Sequence, residues 1–168
     1  MSLTRRCHGG MLKQVTDYLD EGYNVKTVAD ILRSKGSHQV YSVHPGSTVL
    51  EALNLMAEKG IGAVLVIEQG RLVGIVSERD YARKVVLMER SSYNTQVRDI
   101  MTQGVITVTS AQTNEYCMTL MTDKRLRHLP VVDGDELMGL ISIGDLVKDI
   151  MSDQQSMIHQ LEQYIRGG

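Results

Sequence analysis

The chain has 168 residues, of which 42% are hydrophobic and 23% are charged, a balance that is ordinary for a globular protein. Its 18 basic and 20 acidic residues give a net charge of −2, which excludes a general electrostatic attraction to nucleic acid or to acidic membranes. No stretch approaches the ~20 apolar residues that cross a bilayer. The two cysteines, Cys7 and Cys117, predict a reducing cytoplasm rather than a disulfide framework.

Residues 1–24 form a polar leader with a single amphipathic stretch. Apolar side chains recur at helical spacing over Met11–Leu19, which predicts a short helix there. Two interpretations stay open for this leader. It could be a docking or dimerisation segment, or it could be only partly ordered.

A first folded unit is predicted over residues 25–90. Thr48 is followed three residues later by Glu51, a capping box that starts a helix, and Gly60 is placed to end that helix. The apolar run Ala63–Ile67 is typical of a buried strand. In chain order, the predicted elements are a strand over Val40–Val43, the helix from Thr48, strands over Ala63–Ile67 and Leu72–Ser77, and a helix over Glu78–Glu89.

A second unit over residues 91–151 repeats this order. Its predicted elements are a strand over Val105–Val108, a helix over Asn114–Lys124, strands over Leu129–Val132 and Leu137–Ser142, and a helix over Gly144–Met151. The last helix could continue through residues 152–168, where apolar residues recur at Met157, Ile158, Leu161 and Ile165. A single domain cannot easily cover those residues, so this helical extension predicts a subunit contact.

The two units are copies of each other. Residues 74–80 read Gly-Ile-Val-Ser-Glu-Arg-Asp, and residues 139–145, which lie 65 positions later, read Gly-Leu-Ile-Ser-Ile-Gly-Asp. Between residues 40–83 and 105–148, eleven pairs are identical, and the first copy has four additional residues in its Arg33–Gln39 loop. A repeat of this size indicates a duplicated unit. Because each copy alone would bury little surface, the copies are expected to share a core.

The order of elements, the duplication and the two Ser-x-x-Asp signatures resemble a tandem pair of CBS domains, and most closely the bacterial stand-alone pairs. Further marks are Asp30-Ile31-Leu32, Asp99-Ile100-Met101 and the segment His128-Leu129-Pro130-Val131-Val132. The resemblance implies an α/β (α+β) fold in which two βαββα repeats pack as a pseudo-twofold pair with two clefts between them.

The resemblance also implies a regulatory function. CBS pairs commonly bind adenine nucleotides, dimerise, and signal occupancy to a regulated protein. We therefore expect a cytoplasmic homodimeric sensor that binds AMP, ATP or NAD(H), ahead of S-adenosylmethionine, and that is not an enzyme. The sequence has no phosphate loop or dinucleotide fingerprint, and its five histidines show no metal-ligand spacing. The alternative is an interaction or dimerisation module without a functional ligand site.

The family places a carboxylate from one copy opposite strands from the other copy. The main cleft would then comprise Ser77, Arg79, Asp80, Val105, Ile106, Thr107, Arg127, His128 and Pro130. The second cleft would comprise Val40, Tyr41, Ser42, Gly62, Ala63, Ser142 and Asp145. Each aspartate would accept hydrogen bonds from ribose hydroxyls. Because Arg127 and His128 fall in the first set, while the second set gains no cation, we expect the Asp80 cleft to bind phosphate more strongly.

Structural explanations remain open for the same residues. Each aspartate could simply favour a helix N-terminus, and Ser77 and Ser142 could act as N-caps. The basic residues 124–128 could form a solvated rim after a helix, and His128 could be a partly buried histidine. The strand residues of both clefts could be ordinary core.

Overall fold

A computed structural model describes residues 25–36 and 39–167, so the helix predicted over Met11–Leu19 lies outside the described residues. The mixed α/β class is confirmed. The helices are α1 (Val28–Ser34), α2 (Val49–Lys59), α3 (Glu78–Tyr81), α4 (Asn114–Lys124) and α5 (Ile143–Arg166). The strands are β1 (Ser42–Val43), β2 (Ala63–Glu68), β3 (Arg71–Ser77), β4 (His128–Asp133) and β5 (Glu136–Ser142).

Helix α2 starts and ends as predicted. The Glu51 backbone N–H donates to Thr48 Oγ1 at 3.2 Å, and the Thr48 backbone N–H donates to the Glu51 carboxylate at 2.7 Å. Gly60 then adopts φ 63° and ends the helix, a left-handed conformation that glycine reaches without steric cost. Helix α4 also has its predicted bounds.

The two sheets differ because of one proline. In the first sheet, β1 pairs in parallel with β2, which pairs antiparallel with β3, whereas β4 and β5 form a two-stranded antiparallel sheet. The strand predicted over Val105–Val108 is reduced to one bridge, between Val108 and Val131. In the first copy the Leu65 N–H donates to Tyr41 O at 3.1 Å. The residue 65 positions after Leu65 is Pro130, which has no N–H to donate.

The helix predicted over Glu78–Glu89 is α-helical only in α3. It continues as a π-helical turn over Ala82–Val86, closed by a 3.1 Å hydrogen bond from Leu87 N to Ala82 O. The predicted helix is therefore helical only as far as Val86, and its second part is a π-helix. The apolar pattern of this segment does not distinguish hydrogen bonds to the fourth preceding residue from bonds to the fifth.

The described residues form two cores, and each copy contributes its leading segment to the core of the other copy. We call residues 25–36 and 96–102 the leading segments. The second core, around α4, β4 and β5, contains Val28, Ile31 and Leu32 of α1. The first core, around α2, β2 and β3, contains Val97 and Ile100. The expected sharing between copies thus takes the form of an exchange of segments.

The glycine of each repeated signature admits the exchanged segment. A Cβ atom on Gly139 would lie 2.8 Å from Leu32 Cδ2, and one on Gly74 would lie 2.6 Å from Met101 Sδ. The two contacts are equivalent in the duplication, because Leu32 and Met101 occupy matching positions of the leading segments. In each copy, the glycine of the signature therefore serves packing, whereas the serine and the aspartate serve the start of the following helix.

Helix α5 extends well beyond the second core. Its 24 residues span roughly 36 Å, and it passes the expected boundary at residue 151 without a break. Residues 151–166 are all exposed, among them Met157, Ile158 and Leu161. In the described part of the chain, none of the helices combines the length and apolar character that crossing a bilayer requires.

Candidate functional site

A cavity of about 450 Å³ opens beside Asp145, within the size range of small-molecule sites. Its walls come from the end of α1, the segment before β1, the turn after α2, and the strands β4 and β5. The lining residues are Leu32, Lys35, Gln39, Val40, Tyr41, Lys59, Gly60, Ile61, Gly62, Ala63, His128, Gly139, Leu140, Ser142 and Asp145. The structure thus brings together every residue of the predicted second cleft except Ser42, which lies on β1.

Asp145 is held at this wall by the start of α5. Its Oδ2 accepts hydrogen bonds from Ser142 N at 2.7 Å and Ser142 Oγ at 3.0 Å, and Ser142 Oγ accepts from Asp145 N at 3.3 Å. Ser142 is therefore an N-cap, and Asp145 completes a capping box. The capping explanation is correct for both residues, and it also fixes the carboxylate beside the cavity.

Lys35 reaches across the cavity to this carboxylate. Its Nζ lies 2.8 Å from Asp145 Oδ2 and donates to Leu140 O at 2.9 Å. Burial alone would raise the pKa of Asp145, but the hydrogen bonds from Lys35 and Ser142 outweigh burial and hold that pKa below its ordinary value. Asp145 is therefore ionised at neutral pH.

The cations of this cleft come from positions that the sequence comparison did not assign. Lys35 follows α1, at the start of the loop that is four residues longer in the first copy. Lys59 lies on the last turn of α2, with Nζ 5.5 Å from the centre of the Tyr41 ring. The positions that we assigned to the Asp145 cleft supply no positive charge, whereas the structure places two lysines there. The longer loop was the available signal, because it marked where the two copies differ.

His128 lines the Asp145 cleft, whereas the sequence placed it in the Asp80 cleft. Its ring faces Gly62, where a Cβ atom would lie 3.9 Å from His128 Cε1. Burial is the main cause of the lowered pKa of His128; Lys35 and Arg127 lower it further, and Asp145 opposes them. The imidazole is therefore neutral at pH 7 and does not supply the positive charge that we had expected from it. Its half-buried state matches the structural alternative.

Asp80 occupies the equivalent place at the start of α3. Its Oδ2 accepts from Ser77 N at 3.0 Å and Ser77 Oγ at 2.9 Å, in a second capping box. Its Oδ1 pairs with Lys84 of the following turn at 2.9 Å. Thr102 forms an antiparallel bridge with Ile75 beside this site. The position that matches Ile75 in the second copy is Leu140, whose carbonyl instead accepts from Lys35.

The remaining residues predicted for the Asp80 cleft vary in exposure. Arg79, Thr107 and Arg127 are exposed, Val105 and Ile106 are half-buried, and Pro130 is buried with its carbonyl accepting from Val108 N at 3.0 Å. Ile106 also packs against the second core. Within residues 25–36 and 39–167, no group of three or more His, Cys, Asp or Glu side chains is arranged to hold a metal ion.

Comparisons with known proteins identify the family. The sequence profile of the CBS domain matches residues 28–87 and 97–152, so the chain belongs to the CBS-domain family and carries two such domains. CBSX3 of Arabidopsis thaliana, a mitochondrial CBS domain-containing protein, is 38% identical over 157 residues, covering 89% of this chain and 76% of that protein. YhcV of Bacillus subtilis is 33% identical over 118 residues, covering 70% and 84%.

Solved structures confirm the tandem arrangement. A protein with CBS domains from Burkholderia ambifaria MC40-6 is 54% identical, with a TM-score of 0.75, over 77% of this chain and 96% of that one. The CBS domain pair of protein MJ0100, in complex with 5′-methylthioadenosine and S-adenosyl-L-methionine, has a TM-score of 0.68 over 76% of this chain and 98% of its own. At 23% identity, that pair shows the shared fold alone.

Proposed function

We propose that this chain is a ligand sensor that binds an adenine nucleotide in the Asp145 cleft and signals occupancy to a partner protein. CBS pairs are regulatory modules, and we infer that this one acts in the cytoplasm without catalysing a reaction itself. The observation that carries the proposal is the placement of an ionised carboxylate and two lysines around one cavity of about 450 Å³. This arrangement favours the Asp145 cleft over the Asp80 cleft as the principal site.

The cleft chemistry suits the parts of a nucleotide. A ribose offers two adjacent hydroxyls, and the Asp145 carboxylate can accept from both. The half-buried side chains of Val40, Tyr41 and Ile61 line the cavity, and they offer apolar surface to adenine. Lys35 and Lys59 provide ammonium groups for phosphate. We therefore place AMP, ATP and NAD(H) ahead of S-adenosylmethionine as ligands.

The proposal predicts saturable nucleotide binding to the wild-type protein. A ligand at 100 times its dissociation constant stabilises the folded state by about 2.7 kcal/mol, which raises Tm by roughly 5–10 °C for a protein of this size. Calorimetry and thermal unfolding with AMP, ATP, NAD, NADH and S-adenosylmethionine measure this directly. GMP serves as the control for the base. If none of these ligands releases heat or shifts Tm at millimolar concentration, the sensor proposal fails.

The exposed face of α5 supports a second, compatible role in assembly. The exposed face of α5 carries apolar residues at successive spacings of three, seven, four and three positions, each 36–76% exposed: Val147, Ile150, Met157, Leu161 and Tyr164. This spacing is the a/d pattern of helices that pair side by side. We infer that a second copy of the chain packs against this face, which forms the homodimer expected for the family. Without a functional cleft, the same face would support the alternative of a pure interaction module.

Charge placed on the α5 face is expected to dissociate the homodimer. The double substitution Met157→Glu with Leu161→Glu puts two carboxylates into the pairing surface, where they would lose their hydration. Light scattering coupled to size exclusion should then give a mass near 18.7 kDa. The matched control, Gln155→Glu with Gln163→Glu, adds the same charge on the opposite side of the helix and should leave the dimer intact. Equal masses for the two variants would contradict the assignment.

A further inference from the structure

We propose that Lys35 makes the Asp145 cleft selective for ligands that carry an anionic group, so that an adenine nucleotide is preferred over a neutral nucleoside. The inference rests on the proposed function and specifies the ligand class of the same site. It follows from the partners that Lys35 has in the structure and from what must replace them when a ribose binds.

The Asp145 carboxylate is already engaged by partners within the protein. Its Oδ2 receives hydrogen bonds from Ser142 N and Ser142 Oγ, and it also lies 2.8 Å from Lys35 Nζ. Lys35 therefore competes with a ribose hydroxyl for Asp145 Oδ2. A ribose that donates one hydroxyl to each carboxylate oxygen must therefore compete with the ammonium group at Oδ2.

The displaced ammonium group then needs another anion. The Lys35 side chain is 35% exposed and that of Asp145 is 20% exposed, so water only partly compensates either charge after separation. A neutral nucleoside separates the pair and supplies no anion to replace Asp145 as the partner of Lys35. A nucleotide gives a phosphate, which replaces the carboxylate as the partner of Lys35. The exchange of one anion for another makes the nucleotide the better ligand.

The other groups near the cavity add no positive charge, so the selection for an anionic ligand depends on the lysines. Lys59 lines the same cavity with a second ammonium group, which pairs with Glu58 at 2.6 Å. His128, the other basic residue at the wall, is neutral at pH 7 and adds no charge. Glu78 lies near Gly62, where a Cβ atom would be 3.7 Å from Glu78 Oε2, and it adds negative charge at that wall of the cleft. Phosphate is therefore expected on the α1 side.

The Asp80 site has a different arrangement. When α1 is aligned with the second leading segment, the position that matches Lys35 is Gly104, which has no side chain to extend over a carboxylate. The cation beside Asp80 is Lys84, four residues further along the same helical segment, and its Nζ also donates to Ile100 O at 2.6 Å. Both partners of Lys84 lie outside the Asp145 cleft, which makes Lys84 a suitable control.

The experiment compares adenosine with AMP by calorimetry in the wild-type protein, in Lys35→Met and in Lys84→Met. We expect AMP to bind the wild type at least tenfold more tightly than adenosine. In Lys35→Met, AMP should weaken about tenfold, while adenosine should bind equally well or more tightly, so that the preference disappears. Lys84→Met removes the same charge and should keep the wild-type ratio, and Lys35→Arg should also preserve it.

The outcomes separate this inference from the proposed function. If the wild type binds AMP and Lys35→Met keeps the wild-type ratio of affinities within twofold, the role of Lys35 is refuted and the sensor proposal stands. If adenosine and AMP weaken by the same factor in Lys35→Met, the lysine is only structural and the inference is again refuted. If the wild type binds neither AMP nor adenosine, this inference fails, and titration with ATP, NAD, NADH and S-adenosylmethionine decides the sensor proposal. Thermal unfolding of each variant confirms that it is folded before titration.

Discussion

Replacing Ile31 with alanine is expected to lower the free energy of unfolding by about 2–5 kcal/mol and to loosen the second core although Ile31 belongs to the first copy. The side chain is 2% exposed and packs with residues of β4, β5 and α4. Urea denaturation measures the loss. Hydrogen exchange should show the faster amides in α4 rather than in α2.

The duplication provides a matched control for this prediction. Ile100 holds the equivalent place in the other leading segment, is 1% exposed, and packs in the first core. Ile100→Ala should cost a similar free energy, but it should accelerate exchange in α2. If each substitution instead loosens the core of its own copy, the exchange of leading segments is contradicted.

Asp145→Asn is expected to weaken AMP binding at least tenfold, whereas Asp80→Asn should change it less than threefold. Hydrogen bonds to an ionised group contribute about 1.5–3 kcal/mol each, and the amide retains the shape of the side chain while losing the charge. An asparagine oxygen can still accept from the serine N–H of the capping box, so both variants should fold. Calorimetry with AMP on the two variants measures the difference.

A ribose analogue makes this test specific to the hydroxyls. Wild-type protein should bind AMP more tightly than 2′,3′-dideoxy-AMP, and Asp145→Asn should bind the two ligands about equally. Asp80→Asn should keep the wild-type preference. If Asp80→Asn removes the preference and Asp145→Asn retains it, the nucleotide binds in the Asp80 cleft, as the sequence comparison had suggested.

Much of the fold could be predicted because its signals are local. The duplicated signature, the capping box at Thr48 and the glycine at the end of α2 each depend on residues close together in the chain. The strand predicted over Val105–Val108 was wrong because the missing donor, at Pro130, lies more than twenty residues away. Its loss is visible only when the two copies are compared position by position.

The residues of the candidate site were harder to predict from the sequence than the fold. Family placement grouped Gly62, Ala63, Ser142 and Asp145, which line one cavity in the structure, and it assigned His128, which lines the same cavity, to the other cleft. Lys35 was missed because it lies in the loop where the two copies lose their alignment, and no motif marks it. The charge of a cleft depends on which long side chains bend into it, and their direction is set by tertiary packing rather than by spacing along the chain.

The exchanged leading segments also govern how the chain can be divided. A cut near residue 90 would leave the N-terminal fragment with the apolar residues of α1 exposed, because their core lies in the other copy. The same fragment would have a cavity in its own core, where Val97 and Ile100 pack. The C-terminal fragment would expose Val97 and Ile100, and its core would lack the residues of α1. Neither half should persist on its own as a soluble product of limited proteolysis. The two copies should therefore fold and be degraded together as one unit.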